Sequence, residues 1–243
     1  MRPGGTYFYV AYLGLVVLLG TMLTVATGST GFVPILLRGL AVTIEIASMS
    51  AVLALIAALV AGLAKAYAPR PVRVAASCYI EVFRGTSALV QLFWLFFVIP
   101  NFGIELPPMA AGVLALGLNV GAYGAEIIRG AVLAVPRSQW DASIALGLPW
   151  RRTMWRIIFP QAAIAILPSW GNLMIELIKS TSLVSLITLA DLAFRTQQLN
   201  LATYRTPEIY GLALLMYLAL SLLVTIAVRL ASARLDRSAE RAL

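Results

Sequence analysis

Long apolar segments recur along this chain and leave few folds open to it. About 20 residues of helix cross the roughly 30 Å hydrocarbon core of a bilayer. Only 12% of the residues are charged and 61% are hydrophobic, whereas soluble domains average about a quarter charged. Six segments are predicted to span the membrane: Tyr7–Ala26, Leu36–Ala66, Ala76–Ile99, Met109–Ile128, Pro160–Thr188 and Ile209–Leu230. The sequence therefore predicts an all-α polytopic membrane protein.

Several function classes lack the residues they need. The sequence has no histidine, so imidazole metal sites and histidine-based relays are excluded. It has one cysteine, Cys78, and therefore no internal disulfide. It contains neither a GxxxxGK[ST] phosphate-binding loop nor an HExxH zinc motif. We expect no enzymatic activity, metal or cofactor on this chain.

The distribution of lysine and arginine predicts the orientation of the spans. Basic residues are concentrated in cytoplasmic loops of membrane proteins. Placing both termini in the cytoplasm leaves only Arg38, Arg195 and Arg205 on the outer side. The inner set is then Arg2, Lys65, Arg70, Arg73, Arg129, Arg137, Arg151, Arg152, Arg156, Arg229, Arg234, Arg237 and Arg241. We expect the first segment to be a retained span because no clear cleavage site follows it; a cleaved signal peptide stays open.

The segment 135–160, between the fourth and fifth spans, differs in character from its neighbours. Several arginines surround a small-residue helical patch from Asp141 to Gly147. A helix of small residues that ends at a glycine projects few bulky side chains, so another protein can pack closely against it. We predict that this loop docks a cytoplasmic partner, while an ordinary basic loop held near lipid headgroups is the alternative.

Within this loop the residues resemble the EAA motif of binding-protein-dependent ABC transporter permeases. The matching positions are Asp141-Ala142-Ser143, Gly147, Pro160-Gln161-Ala162 and Pro168. Other stretches resemble the polar amino acid permease family: LLRGLAVT (36–43), EVFRGT (81–86), QLF (91–93), GAYGAE (121–126), RG (129–130) and KSTSL (179–183). RGTSALVQLFWLFF (84–97) and IELIK (175–179) are most similar to the ectoine/hydroxyectoine permease branch.

The sequence departs from the family pattern in three places. Asp141 and Ser143 replace the glutamate and second alanine of the motif, and Ser138 replaces a glycine. The family usually has five spans, so residues 1–30 would add an N-terminal helix to a five-helix, type I ABC importer-like core. That core would be the permease domain, residues 31–235, and residues 236–243 would form a cytoplasmic tail.

The resemblance implies a transmembrane permease subunit in a bacterial inner membrane. It would import polar amino acids or derived compatible solutes, with ATP and Mg²⁺ held by separate ATP-binding subunits. A second permease subunit and an extracytoplasmic solute-binding protein would complete the transporter. The residues implied in coupling to the ATPase are Asp141, Ala142, Ser143, Gly147, Arg151 and Arg152.

Polar residues inside the spans are candidates for the substrate pathway. Intramembrane ionisable groups are costly and often functional, and Glu176 and Lys179 share a helix face on which they could pair. Gln91 and Trp94 share another face, as do Asn119 and Tyr123; amides and aromatic rings suit a polar or cationic solute. Structural pairing and packing are the alternatives for all six residues.

Two other function classes compete with the importer. A self-contained secondary transporter or channel would usually show repeated halves, and the sequence has no convincing repeat. A membrane enzyme would need a catalytic group that the sequence does not supply. Gene neighbours encoding an ATPase and a secreted binding protein would favour the importer.

Overall fold

The chain folds into ten α-helices joined by short connections within the residues that the structure describes. The computed structural model describes the backbone of residues 4–240 and the side chains of residues 9–234, except residues 23, 26, 27, 29 and 30. The helices are α1 Gly4–Thr27, α2 Val33–Tyr67, α3 Arg70–Gly85, α4 Ala88–Phe93, α5 Pro108–Leu133, α6 Arg137–Ala145, α7 Trp150–Thr153, α8 Phe159–Ser180, α9 Leu192–Thr203 and α10 Thr206–Glu240. The predicted all-α class is confirmed.

The described helices account for four or five membrane spans. Four are long and apolar enough on their own: Val33–Tyr67, Pro108–Leu133, Trp150–Ile187 and Thr206–Arg234. The bent pair of α3 with α4 could supply a fifth. Helix α1 forms at the N-terminal apolar segment, but its described apolar stretch is only Tyr9–Met22, so its crossing of the membrane stays a prediction. Of the arginines used to predict orientation, Arg2, Arg237 and Arg241 lie outside the described side chains.

The centre of the fold is the contact between α2 and α5, which is made by small residues. A Cβ added at Gly62 would lie 2.6 Å from the carbonyl oxygen of Ala125, so only glycine allows this approach. Gly117, Gly121 and Gly124 of α5 are also buried, against Leu53, Ala57 and Trp170 respectively. Small residues let membrane helices approach closely and gain van der Waals contact.

The predicted third span, Ala76–Ile99, is wrong as a single straight helix. Helix α3 ends at Gly85, and α4 begins at Ala88 at an angle of 104°. Thr86 and Ser87 between them have extended backbone conformations. After α4 the chain continues as a π-helical turn, Trp94–Val98, and a 3₁₀ turn, Ile99–Phe102.

The predicted fifth span begins earlier than Pro160. Helix runs from Trp150 through a π-helical turn, Met154–Ile158, into α8, and a 3₁₀ turn, Thr181–Ile187, extends it. Pro168 lies inside α8 without ending it. Gly171 packs against Val228 of α10, and α1 packs along α10.

Candidate functional site

The predicted docking loop contains a short helix with a well-formed C-terminal cap. Helix α6 begins at Arg137, four residues before the predicted patch, and ends at Ala145. Gly147 follows with φ +64°. Its N–H donates to the carbonyl of Ile144 at 2.9 Å, and the N–H of Leu148 donates to that of Ser143 at 3.0 Å. These two bonds define a Schellman cap, which requires a left-handed residue and favours glycine.

Aromatic and apolar side chains hold α6 against the end of the membrane domain. The ring of Tyr67, at the end of α2, lies 5.8 Å from Trp140 and 5.8 Å from Trp150, between centroids. Trp140 belongs to a cluster that includes the buried Val135 and Met154. The loop is therefore anchored on both sides of α6.

The outer side of the loop is exposed and carries apolar side chains. Ile144 is 74% exposed and Leu146 is 75% exposed. Asp141, Ala142, Arg151 and Arg152 are exposed beside them. Neither Ile144 nor Leu146 is among the coupling residues predicted from the sequence, although large apolar residues three positions and one position before the capping glycine could have indicated them. Together Ile144 and Leu146 form what we call the apolar knob.

Ser143 does not belong to this outer surface. It is 1% exposed, and its hydroxyl donates to the carbonyl of Gln139 at 2.7 Å. Ser143 is therefore buried and bonds within α6 itself, and its predicted contact with a partner stays a prediction.

Two of the six pathway candidates meet at the break between α3 and α4. The Gln91 amide donates to the carbonyl of Phe83 at 2.9 Å and to the hydroxyl of Thr86 at 2.7 Å. The Asn119 amide of α5 donates to the same Phe83 carbonyl at 2.9 Å and to the side-chain oxygen of Gln91 at 3.2 Å. Helix ends leave carbonyls without helical partners. These amides therefore fix the bend of 104° against α5.

Tyr123 and Trp94 lie near the same break but are more open. The Tyr123 ring lies 5.3 Å from the guanidinium of Arg84, and its hydroxyl is 3.4 Å from the Arg84 carbonyl, to which it donates. Trp94 is 51% exposed. Both rings remain accessible to a solute or a partner subunit.

Glu176 and Lys179 lie exposed on α8, and no ion pair joins them among the residues that the structure describes. The predicted pairing is therefore absent in this conformation. Lys179 borders a cavity of about 730 Å³ between α8, α9 and α10, which Gln197, Tyr210 and Tyr217 also line. Glu126 and Arg129, three residues apart on α5, do form an ion pair, at 2.9 Å.

A buried carboxylate that the sequence analysis did not single out lies at the start of α9. Asp191 is fully buried, and its side chain accepts a hydrogen bond from the N–H of Phe194 at 2.9 Å. Next to it the N–H of Leu192 donates to the Thr43 hydroxyl of α2 at 3.1 Å. Burial raises the pKa of Asp191 to about 6. An aspartate directly before an apolar helical stretch is the sequence signal of such an N-cap.

The fold is that of a multi-helix membrane protein with an exposed, anchored helix, α6, between two of its spans. A family model described as "Binding-protein-dependent transport system inner membrane component" matches residues 50–238. The chain belongs to this family, among the amino-acid ABC transporter permeases.

Three known proteins illustrate the similarity. The L-cystine transport system permease protein TcyB of Bacillus subtilis is 37% identical over 220 residues, 90% of this chain and 94% of that protein. The probable amino-acid ABC transporter permease protein y4tF of Sinorhizobium fredii is 48% identical over 165 residues, 65% of this chain and 69% of its own length. A crystal structure of an amino acid ABC transporter with histidines superposes with a TM-score of 0.79 at 34% identity, covering 86% of this chain and 97% of that one.

Proposed function

We propose that this chain is the permease subunit of a binding-protein-dependent ABC importer and that α6 is its coupling helix. The apolar knob carries the proposal: Ile144 and Leu146 are exposed on a helix that Trp140 anchors to Tyr67 of the membrane domain. Exposed apolar side chains clustered on a polar loop are typical of protein interfaces. Because α6 is anchored to the membrane domain, a partner bound to the apolar knob would move the membrane domain, and a movement of the membrane domain would move the bound partner.

The proposed partner in the cytoplasm is an ATP-binding subunit that holds ATP and Mg²⁺. Its cleft would bury the knob, Asp141 would accept hydrogen bonds from it, and Arg151 and Arg152 would pair with its acidic residues. ATP-driven closure of two such subunits would move α6 and switch access across the membrane. A second permease copy or homologue, an extracytoplasmic solute-binding protein and cytoplasmic termini complete this proposal.

The proposed solute is a polar amino acid or an amino-acid-derived compatible solute, with ectoine and hydroxyectoine as named candidates. The cystine transport named for the Bacillus relative supports the amino acid class. Glu176, Lys179, Trp94 and Tyr123 have the exposure needed to line a pathway. Gln91 and Asn119 act on the pathway by positioning the α3–α4 bend rather than by contacting solute, because their amides are already engaged.

Co-purification with a co-expressed ATP-binding subunit of the same transporter tests the coupling role. Ile144→Asp and Gly147→Arg should each abolish recovery of that subunit from detergent, and Asp141→Lys should weaken it. Leu201→Asp is the matched control for Ile144→Asp, because Leu201 is also a large, exposed apolar residue but lies on α9, in another connection between spans. Folding of every variant is checked by its elution volume and helical circular dichroism.

Normal recovery of the ATP-binding subunit with folded Ile144→Asp and Gly147→Arg would overturn the coupling role. Uptake of solute by the chain alone in liposomes, without any ATPase, would instead establish a secondary transporter. Uptake by the complete transporter, in competition with polar amino acids and with ectoine, then identifies the solute class.

A further inference from the structure

We propose that the groove between α1, α8 and α10 binds the headgroup of an anionic phospholipid through Arg229. The groove has a volume of about 340 Å³ and is lined by residues of all three helices, including Tyr9, Asn172, Arg229 and Ser232. It exists only because α1 packs beside α10, so it is a feature of the N-terminal helix and not of the α2–α5 centre.

Arg229 is a half-buried cation without a carboxylate partner among the described residues. Its guanidinium lies 4.2 Å from the centroid of the Tyr9 ring and donates to the Tyr9 hydroxyl at 3.0 Å. The ion pairs in the described part of the chain involve other residues. A guanidinium has five N–H donors in a planar fork that matches a phosphate. Most of these donors remain available to a ligand.

The other polar groups in the groove favour an anion as well. The Asn172 amide and the Ser232 hydroxyl can each donate, and neither has a hydrogen bond to the described residues. Among the side chains that the structure describes, which end at residue 234 of α10, no acidic one lines the groove; Glu176, one turn beyond Asn172 on α8, is not among the lining residues. The cation of a zwitterionic headgroup would therefore have no anionic partner among the described side chains of the groove.

The position of the groove along the helices suits a lipid headgroup. Helix α8 starts at the docking loop, and Gly171 of α8 packs on Val228 of α10. Arg229 is therefore in the half of α10 that returns toward the loop, about 23 residues or roughly 35 Å of helix from Thr206. Basic pockets between helices on the cytoplasmic side of membranes bind anionic headgroups.

Thermal unfolding of the delipidated full chain in detergent tests the proposal. Phosphatidylglycerol should raise the melting temperature of the wild type saturably, while phosphatidylcholine and inorganic phosphate should not. Arg229→Gln should raise the phosphatidylglycerol concentration that gives the half-maximal rise in melting temperature by about tenfold or more. This is the effect expected for losing a charged hydrogen-bonding group. Arg70→Gln is the matched control, because Arg70 is exposed at the start of α3, away from the groove, and its response should equal that of the wild type.

Two further variants distinguish loss of lipid binding from a folding defect caused by replacing Arg229. Asn172→Leu removes a donor without touching the contact of Arg229 with Tyr9 and should also weaken the lipid response. Arg229→Lys keeps the positive charge but loses the planar set of N–H donors. Its response to phosphatidylglycerol should therefore lie between those of the wild type and Arg229→Gln. An unchanged lipid response in folded Arg229→Gln and Asn172→Leu would overturn the proposal. So would an equal response to inorganic phosphate, which would indicate a phosphate site instead of a lipid site.

Discussion

The ammonium of Lys65 in α2 lies 2.6 Å from a carboxylate oxygen of Glu126 in α5. The second oxygen of Glu126 accepts from Arg129 at 2.9 Å, so one carboxylate holds two cations. This network ties the two central helices together just beyond the Gly62 contact, near the end of α5 that leads into the docking loop. These ion pairs therefore link α2 to α5 near the end of α5 that precedes segment 135–160.

Removing that carboxylate should destabilise the protein. We expect Glu126→Gln to lower the free energy of unfolding by about 1–3 kcal/mol, because two partly buried cations lose their anion. The side chains are 19–34% exposed, which keeps the loss below that of a fully buried pair. Melting temperature in detergent measures the effect. Glu81→Gln is the control, because Glu81 is exposed and unpaired in the described structure; an equal loss there would contradict the prediction.

The side-chain amides at the α3–α4 break should contribute more to the free energy of unfolding than an exposed side-chain amide does. Asn119→Leu leaves Gln91 without one partner and should cost about 1–3 kcal/mol of stability. Amide hydrogen exchange should become faster around residues 83–87. Asn101→Leu is the comparison, since the Asn101 amide is exposed and bonds only to carbonyls of its own turn. If both variants melt alike, the bend does not depend on Asn119.

The capping glycine of α6 should resist even the smallest side chain. Gly147→Ala should cost about 1 kcal/mol, because φ is +64° there and a Cβ would meet nothing within 4 Å, so backbone strain is the whole effect. Gly130→Ala, also with open space around its Cβ but inside helix α5, should stabilise by a similar amount. Opposite shifts in melting temperature are the expected result; shifts of the same sign would argue against a left-handed cap.

Asp191 should make stability depend on pH between about 4 and 6. Its pKa is raised by burial from 3.8 to about 6, so the folded protein binds a proton that the unfolded chain has released in that range. Stability therefore falls as the pH rises through this window, by up to about 3 kcal/mol, and is level above it. Asp191→Asn retains an N-cap side chain and should flatten the profile. Melting temperatures from pH 4 to 8 for both proteins check this, and parallel profiles would contradict it.

The class of fold and the helix end in segment 135–160 could be predicted from the sequence because both depend on local signals. Apolar length predicts spans, and a glycine after a small-residue patch predicts a helix end, which Gly147 confirms. The break at Gly85–Ser87 was missed because apolar residues continue on both sides of it. The carbonyl to which the Gln91 amide donates depends on the α3–α4 bend. The spacing of residues in the sequence does not predict that bend. Asp191 was missed because its burial results from α2 and α10 packing over it.

The docking loop is joined to its two neighbouring spans in different ways. On one side a turn at Val135 and Pro136 separates α6 from α5, while on the other side helix runs without a break from Trp150 to Ile187. Those 38 residues are roughly 55 Å of rod. Trp150, at one end, packs on Tyr67, and Gly171, midway along, packs on Val228. Because the helix is continuous on this side, a sideways displacement of Trp150 would pass along the rod to its far end, just before Asp191, whereas on the α5 side the turn interrupts the helix.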